Sequence, residues 1–329
     1  MALGYSSVAT GNRRTVISIH ASQLDSLREQ LRSLRSSGDV EVYERVDLRA
    51  WTAARIGGLA DLVIRCKRVS AVEQVVDLLA SHGVPWLVLG AGSRLVAPDK
   101  GLRAPLVSFG GPLLELEVES DDVVAGAGAN LSQLGRSAAR AGLGGLDPLL
   151  HTHGSVGGAV VAAARTCRGE ALDLLDWAEV VWPGRDARRL AADELCDQVQ
   201  RSAEGRREVV TRVRLTLKPE SGSASLLARS RLDASRLRDG TTFLEPVFED
   251  PVEVPAQQLL ERAQVKGRSV GGARVADGSA NRITTSRRAS AAHVAELCVV
   301  MRRLVKETFD VELALSLDFV DEAGRSFTP

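Results

Sequence analysis

The hydrophobic and polar positions of this 329-residue chain follow helical spacing in some segments and strand alternation in others. From residue 22 to 38, leucines recur every three to four residues, which places them on one face of a helix that ends at Gly38. We expect this amphipathic helix to pack against the protein through its leucine stripe. A helix that binds a partner through the same stripe is the alternative.

The segment from residue 60 to 110 has a strand–helix–strand pattern. Residues 60–66 are apolar enough for a strand, and residues 70–83 have helical spacing, with Ser70 as the expected N-cap and Gly83 as the stop. Residues 85–93 then read as a buried strand that runs into a glycine turn. This order predicts mixed helix and strand layers.

The rest of the chain also combines segments of helical and of strand periodicity. The predicted elements, in chain order, are a hairpin turning at Asp121–Asp122, a helix from Asn130 to Gly142, strands over 176–190 and 207–219, a bridging segment over 219–243, helices over 255–265 and 289–308 with Ser290 as a cap, and a closing strand over 311–320.

Composition and charge narrow the class of protein. The chain carries 42 basic and 42 acidic side chains, so no global charge favours nucleic acid or an anionic membrane as a partner. The four cysteines form no CxxC pair, and we expect neither a disulfide framework nor a metal site. Without a long apolar segment at the start or elsewhere, we expect a cytoplasmic protein. The excess of arginine over lysine indicates a GC-rich genome and favours an actinobacterial source.

Two glycine-rich turns carry the candidate chemistry. In "LGAGSRL" (89–95), Gly90 and Gly92 can adopt positive φ and expose N–H groups as an anion nest, which Arg94 can reinforce. A plain structural turn is the alternative, and the missing helix after the glycines excludes a Rossmann fingerprint. The glycines of "GSVGGA" (154–159) either clear room for a flat ligand or permit tight chain packing. Together the two turns favour a nucleotide-type cofactor.

Four motifs in order give the chain a family resemblance. They are "ARIGGLADLVIRC", "LVLGAGSRLVAPDKGL", "GAGANLSQLGRSAARAGLGGLDPLLHTHGSVGGAVVAAA" and "AQQLLERAQVKGRSVGGARVADGSANRI". The chain, over residues 45–325, resembles the UDP-N-acetylenolpyruvoylglucosamine reductases (MurB), which are flavoproteins of peptidoglycan synthesis.

The resemblance implies an α+β fold with a two-lobe FAD-binding unit of the vanillyl-alcohol-oxidase type and a C-terminal α+β substrate domain. The implied boundaries are an N-terminal extension over 1–44, lobes over 45–105 and 106–219, and the C-terminal domain over 220–329. NADPH is the reductant that the family suggests. The residues expected to bind FAD are those of the two loops: Gly90, Ala91, Gly92, Ser93, Arg94, Leu95, Gly154, Ser155, Val156, Gly157, Gly158 and Ala159.

The family's catalytic residues are absent at the matching positions. Val199 and Gln200 stand where the family has the Tyr-Arg of YRxS, with Arg201 next to them. The proton-donating serine of GSxFKNP corresponds to Pro246, and the final glutamate corresponds to Ser316. Since each such group typically contributes roughly 10²–10⁴ in rate, we expect no enolpyruvyl reductase activity.

Three functions therefore stay open, and a flavoprotein redeployed on another small molecule is favoured. Its substrate is a nucleotide sugar or another pathway intermediate, in specialised biosynthesis, and its activity is that of an FAD-dependent oxidoreductase. His153, Arg201 and Cys167 are the candidate catalytic residues, and His151, His153 or Cys167 could also tether the flavin covalently. Near these residues, Glu245 and Glu249 are expected to be solvated.

The other two functions would use the expected FAD site differently. In a flavin-free enzyme or scaffold, Arg165 would fill part of the isoalloxazine site, and Ala163 marks the loss of a family amide. In a genuine reductase, Arg201, Ser316 and a serine from "SGSAS" (221–225) would restore the missing groups.

Overall fold

The fold mixes helices and sheets, as the sequence pattern predicts. The computed structural model describes residues 21–146, 149, 154–167, 171–202, 208–219, 242–251 and 253–329. Among these residues, no helix is long and apolar enough to cross a membrane.

The helices and strands are numbered here in chain order. The α-helices are α1 (Ala21–Arg35), α2 (Val69–Ser81), α3 (Leu131–Arg140), α4 (Val156–Thr166), α5 (Ala192–Ser202), α6 (Ala256–Arg262) and α7 (Ala291–Phe309). The strands are β1 (Val40–Asp47), β2 (Leu59–Cys66), β3 (Leu87–Leu89), β4 (Leu95–Val96), β5 (Leu106–Phe109), β6 (Leu116–Glu119), β7 (Asp122–Gly126), β8 (Leu143–Gly144), β9 (Leu175–Trp182), β10 (Arg185–Leu190), β11 (Val209–Thr216), β12 (Lys218–Pro219), β13 (Thr242–Leu244), β14 (Ser269–Val270), β15 (Ala273–Val275), β16 (Ile283–Thr285) and β17 (Asp318–Phe319).

The first lobe is a four-stranded sheet in the order β1-β2-β5-β3, in which β2, β5 and β3 run parallel. The apolar stripe of α2 is buried in the core on one face of this sheet, which also includes Val107 and Phe109 of β5. Leu27 and Leu31 of α1 are fully buried in the same core. The prediction of a packed N-terminal helix is therefore confirmed.

The second lobe is a five-stranded antiparallel sheet in the order β10-β9-β11-β7-β6. The predicted hairpin is present as β6 and β7, and a Pro-Gly turn joins β9 to β10 as expected. Asn130 caps α3, because its side chain accepts a hydrogen bond of 2.8 Å from the Ser132 N–H, and Gly142 follows the helix with a φ of 73°.

The last domain packs α6 and α7 with the antiparallel sheet β13-β16-β15-β14. Ser290 caps α7 as predicted, with its hydroxyl accepting from the His293 N–H at 3.1 Å. Apolar side chains one turn apart on α7, among them Val294, Leu297 and Met301, are fully buried and form the centre of this core.

Two predicted boundaries are wrong. The N-cap of α2 is Arg68 instead of Ser70, and it makes no side-chain cap bond, so Ser70 lies inside the first turn. In the predicted closing strand, only Asp318 and Phe319 are paired as a strand, and they run parallel to β4 of the first lobe. The preceding residues instead make one isolated bridge between Leu315 and Phe248, because the chain passes from one sheet partner to another.

Candidate functional site

The two glycine loops lie against each other. A Cβ atom on Gly90 would lie 2.2 Å from the Ser155 hydroxyl oxygen, and one on Gly154 would lie 2.8 Å from the Ser93 hydroxyl oxygen. Both distances are too short for a real side chain, so the loops approach as closely as they do because glycine stands on each side. The contact joins the loop after β3 in the first lobe to the start of α4 in the second.

The loop over residues 90–94 has the properties of an anion nest. None of its five backbone N–H groups donates a hydrogen bond to any residue that the structure describes. Gly92 has a φ of 65°, and a Cβ there would lie 2.3 Å from the Trp51 carbonyl oxygen. Gly90 and Ala91 are exposed. Free N–H groups on an exposed turn fit the diphosphate of FAD.

The second loop is more strongly engaged in packing. The Val156 and Gly157 N–H groups donate to the carbonyls of Ala129 and Ala127 at 2.8 and 2.9 Å. Ser155 caps α4, accepting from the Gly158 N–H at 3.3 Å. Of the two interpretations of these glycines, tight chain packing holds for Gly157, whose Cβ would lie 2.6 Å from the Ala127 Cβ. Gly158 is exposed and leaves room beside the first turn of α4.

Arg94 occupies the junction between the first lobe and the C-terminal domain. Its Nε donates to the Ser316 carbonyl at 2.6 Å, and its Nη2 lies 3.8 Å from the Glu249 carboxylate. Burial lowers the pKa of the Arg94 guanidinium, and the nearby charge of Arg165 lowers it further, whereas Asp318 and Glu249 act in the opposite direction. The Arg94 guanidinium is thus held within the domain junction.

Arg165 bridges α4 to the C-terminal domain. Its Nη1 donates to the Asp318 carboxylate at 2.7 Å, and both side chains are partly exposed. This contact could not be expected from the sequence, because the two residues are far apart in the chain. The Arg165 side chain therefore reaches from α4 to the C-terminal domain and stays partly exposed.

The candidate catalytic residues occupy different places. His151 and His153 lie outside the described residues. Arg201 is on the exposed face of α5, where its Nη2 lies 3.4 Å from the Asp197 carboxylate. Cys167 ends α4, is exposed, and its sulfur accepts a hydrogen bond of 3.1 Å from the Gln200 amide. Among the described residues, Cys167 is linked to the second glycine loop through α4. No described contact links Arg201 to either glycine loop.

The predicted solvation of Glu245 is wrong, whereas Glu249 is partly exposed beside Arg94. Arg282 donates from both Nε and Nη2 to the Glu245 carboxylate, the Nε bond being 2.7 Å, and each side chain is only 16% exposed. Ser279 donates to the other Glu245 oxygen at 3.1 Å. By the resemblance, Arg282 corresponds to a phenylalanine of a family motif and Glu245 to the glycine of GSxFKNP. Two charged residues at uncharged motif positions were the sequence signal for an ion pair.

By the resemblance, Pro246 and Ser316 correspond to the family's serine and glutamate. Pro246 follows a cis peptide bond and has no side-chain proton. Ser316 is 2% exposed, and its N–H donates to the Val247 carbonyl while its own carbonyl accepts from Arg94. Both backbone bonds hold the segment in place, and a serine there supplies no carboxylate.

Two family models match separate parts of the chain. The family described as "FAD binding domain" matches residues 60–186. The family described as "UDP-N-acetylenolpyruvoylglucosamine reductase, C-terminal domain" matches residues 238–320.

The chain is also similar to whole proteins over most of its length. It is 33% identical over 276 residues to the UDP-N-acetylenolpyruvoylglucosamine reductase of Acidiphilium cryptum, which covers 82% of this chain and 87% of that protein. It is 31% identical over 283 residues to the reductase of Heliobacterium modesticaldum, covering 83% and 88%.

A solved structure shows the same likeness in three dimensions. The UDP-N-acetylenolpyruvylglucosamine reductase (MurB) of Thermus caldophilus superposes with a TM-score of 0.62 at 28% identity, covering 85% of this chain and 98% of that one. The predicted fold class, an FAD-binding unit followed by a MurB-type C-terminal domain, is confirmed.

Proposed function

Because the chain belongs to the UDP-N-acetylenolpyruvoylglucosamine reductase family, we propose that it is a flavoprotein of that family acting on a different small molecule. FAD would lie along the crevice where the two glycine loops meet. The observation that carries the proposal is the 90–94 loop, whose N–H groups have no hydrogen-bond acceptor among the described residues.

The chain's own residues would hold FAD by its diphosphate. The N–H groups of residues 90–94 would donate to phosphate oxygens, and the N-terminus of α4 would add the positive end of its dipole. Gly90 and Gly154 keep the two lobes close enough for both contacts. FAD, when bound, supplies hydride transfer.

A changed substrate is supported by the residues at the family's catalytic positions. Pro246 has no proton to donate, and Ser316 brings no carboxylate. The Glu245–Arg282 pair lies near them. A ligand would therefore contact a carboxylate and a guanidinium where the resemblance predicts a glycine and a phenylalanine. An ion pair at this place favours a substrate with its own hydrogen-bonding groups, such as a nucleotide sugar or a related intermediate.

The proposed acid–base residues remain part of this proposal. His153 directly precedes the second loop in the sequence, and a histidine side chain can perform acid–base chemistry. Cys167 and Arg201 are the other two candidates; Cys167 is in contact with Gln200 of α5, and Arg201 extends into solvent. NADPH is the proposed reductant, as the resemblance implies.

A flavin-free use of the cleft is the second candidate, and the Arg165–Asp318 pair favours it. By the resemblance, Arg165 corresponds to a glycine of the family, at a place where the family's backbone passes close to the flavin. Here a long side chain crosses from α4 to β17. If this bridge occupies the isoalloxazine site, the fold would bind its ligand without FAD.

The absorbance spectrum of freshly purified protein separates the two candidates. We expect a flavin band that is released into the supernatant on acid precipitation. A band that stays with the pellet would indicate a covalent flavin at His151, His153 or Cys167. Colourless protein that fails to take up added FAD would contradict the flavoprotein proposal, and uptake restored by Arg165→Gly would then identify Arg165 as the obstacle.

Activity with UDP-N-acetylglucosamine enolpyruvate and NADPH tests the third function. We expect no turnover above a reaction without protein, because no described residue replaces the serine donor or the glutamate. Turnover at the rate of an ordinary member of the family would show that the reductase function is intact and would overturn the proposed change of substrate.

A further inference from the structure

Two of the four cysteines are brought together by the packing of α4 against α5. Cys167 ends α4, and Cys196 lies on the buried face of α5. The Cys167 thiol interacts with the Cys196 thiol and is one of the groups that raise the Cys196 pKa. Cys66 is buried at the end of β2 and Cys298 within α7, so each belongs to a different region of the fold.

The two thiols differ in accessibility. Cys167 is exposed, whereas Cys196 is only 7% exposed. Burial, followed by the hydrogen bond with Cys167, raises the pKa of the Cys196 thiol to about 12. A dissolved oxidant therefore meets Cys167 first, and Cys196 is a protected neighbour.

Gln200 of α5 positions the Cys167 sulfur. The Gln200 amide donates to this sulfur at 3.1 Å, and the Cys167 thiol donates to the Ala164 carbonyl at 3.1 Å. Gln200 is one turn after Cys196 on α5, so the residue that orients Cys167 is on the same helix as the second thiol. The described residues thus place an accessible sulfur, a hydrogen-bond donor and a second sulfur in one cluster.

The backbone of Cys167 can accommodate a new bond. Cys167 is the C-cap of α4 and has a φ of 49°, in the left-handed region that non-glycine residues seldom adopt. Its N–H bonds to the Ala163 carbonyl as part of the last turn. Because the helix ends here, a shift of the Cys167 side chain toward α5 disturbs no later turn of α4.

We propose that Cys167 and Cys196 form a thiol–disulfide pair that responds to hydroperoxides. The Cys167 thiol gives up its proton as its sulfur attacks one peroxide oxygen, the O–O bond breaks, the sulfur becomes a sulfenic acid, and the other oxygen leaves as water with that proton. Cys196 then attacks the Cys167 sulfur, the S–O bond breaks, and a second water leaves with the Cys196 proton. The pair loses two electrons, and hydrogen peroxide is reduced to two water molecules.

The disulfide would tie the end of α4 to α5. Because α4 begins at the second glycine loop and carries Arg165 near its end, the bond would fix the helix that borders the cleft. The proposed disulfide does not depend on bound FAD, since both sulfurs belong to cysteines of the chain.

The test uses the full-length protein, reduced, freed of reductant and treated with increasing hydrogen peroxide. Non-reducing peptide mass spectrometry should show one peptide pair linked through Cys167 and Cys196, with a loss of two hydrogens that dithiothreitol reverses. The crosslink should form unchanged in Cys66→Ala and Cys298→Ala, which remove buried thiols elsewhere in the fold. It should be lost completely in Cys196→Ala, where dimedone should instead label Cys167.

If Cys196→Ala does not fold, peptide mapping of the wild-type protein still tests the proposal, because it needs no variant. Cys196→Ser provides a second, polar replacement in that case. Over-oxidation of Cys167 to sulfinic acid with no crosslink in the wild-type protein would overturn the proposal. A disulfide that involves Cys66 or Cys298, or that joins two chains, would overturn it equally.

Discussion

Gly90 and Ser155 are the residues at which the two lobes meet most closely. The Ser155 hydroxyl already caps α4, and it occupies the space that any side chain on Gly90 would need. No positive φ is involved at Gly90, so its requirement for glycine is steric. One contact therefore couples the 90–94 loop to the stability of α4.

We predict that Gly90→Ala lowers the free energy of unfolding by about 1 kcal/mol, because the new Cβ turns the Ser155 hydroxyl away from its capping position. Ser155→Ala should cost a similar amount, and the double variant should cost less than the sum of the two. Urea unfolding of the three variants measures this cycle.

Gly278→Ala is the matched control, since nothing lies within 4 Å of its added Cβ and its φ lies outside the left-handed region that favours glycine. It should leave both the unfolding free energy and the bound flavin per protein unchanged. Additive losses for Gly90→Ala and Ser155→Ala would show that the two residues act independently, contrary to the geometry.

At the scale of elements, the long helix α7 is capped from another part of the chain. The Asp99 carboxylate, in the turn after β4, accepts from the Ala291 and Ala292 N–H groups at 2.8 and 3.2 Å. Ser290 satisfies a third N–H of the same helix end. A local cap was predictable from sequence, whereas the second cap depends on the docking of α7 beside a turn of the first lobe.

Asp99→Ala should destabilise the protein by roughly 1–2 kcal/mol, because two N–H groups lose a charged acceptor at the positive end of the helix. Asp99→Asn retains one acceptor oxygen and should recover part of the loss. The midpoint of urea unfolding is the measurement. Asp277→Ala, which removes an exposed carboxylate paired with Arg274, should have little effect; equal losses at both sites would contradict the cap.

At the scale of the whole molecule, the C-terminal domain is attached by contacts at the edge of the cleft. The last strand, β17, extends the first lobe by pairing with β4. Arg94 holds the Ser316 carbonyl, and Arg165 of the second lobe holds Asp318. These contacts join all three parts of the fold at one place, next to the proposed flavin site.

We expect the Arg165–Asp318 pair to contribute about 0.2–1 kcal/mol, since both side chains are partly exposed. A double-mutant cycle of Arg165→Ala and Asp318→Ala, followed by urea unfolding, measures the coupling. The control is the Arg201–Asp197 pair, which lies within one helix and is more exposed. Its coupling should be the smaller of the two, and the reverse order would show that the bridge does not stabilise the domain junction.

Local features were the most predictable from sequence. Asn130, Ser290 and Gly142 mark helix ends through short-range hydrogen bonds and backbone freedom, and each is found where the pattern places it. The closing strand was misjudged because its apolar alternation specifies only which residues prefer burial. It does not specify whether their backbone pairs with Phe248 or with β4.

The sequence by itself determined the family, the order of the elements and the two glycine loops, because these depend on residue identity and short-range spacing. The tertiary structure alone decided which distant groups meet: Glu245 with Arg282, Arg165 with Asp318, and Cys167 with Cys196. Charged and thiol groups pair wherever packing brings them within a few ångströms, and that proximity is a property of the folded chain.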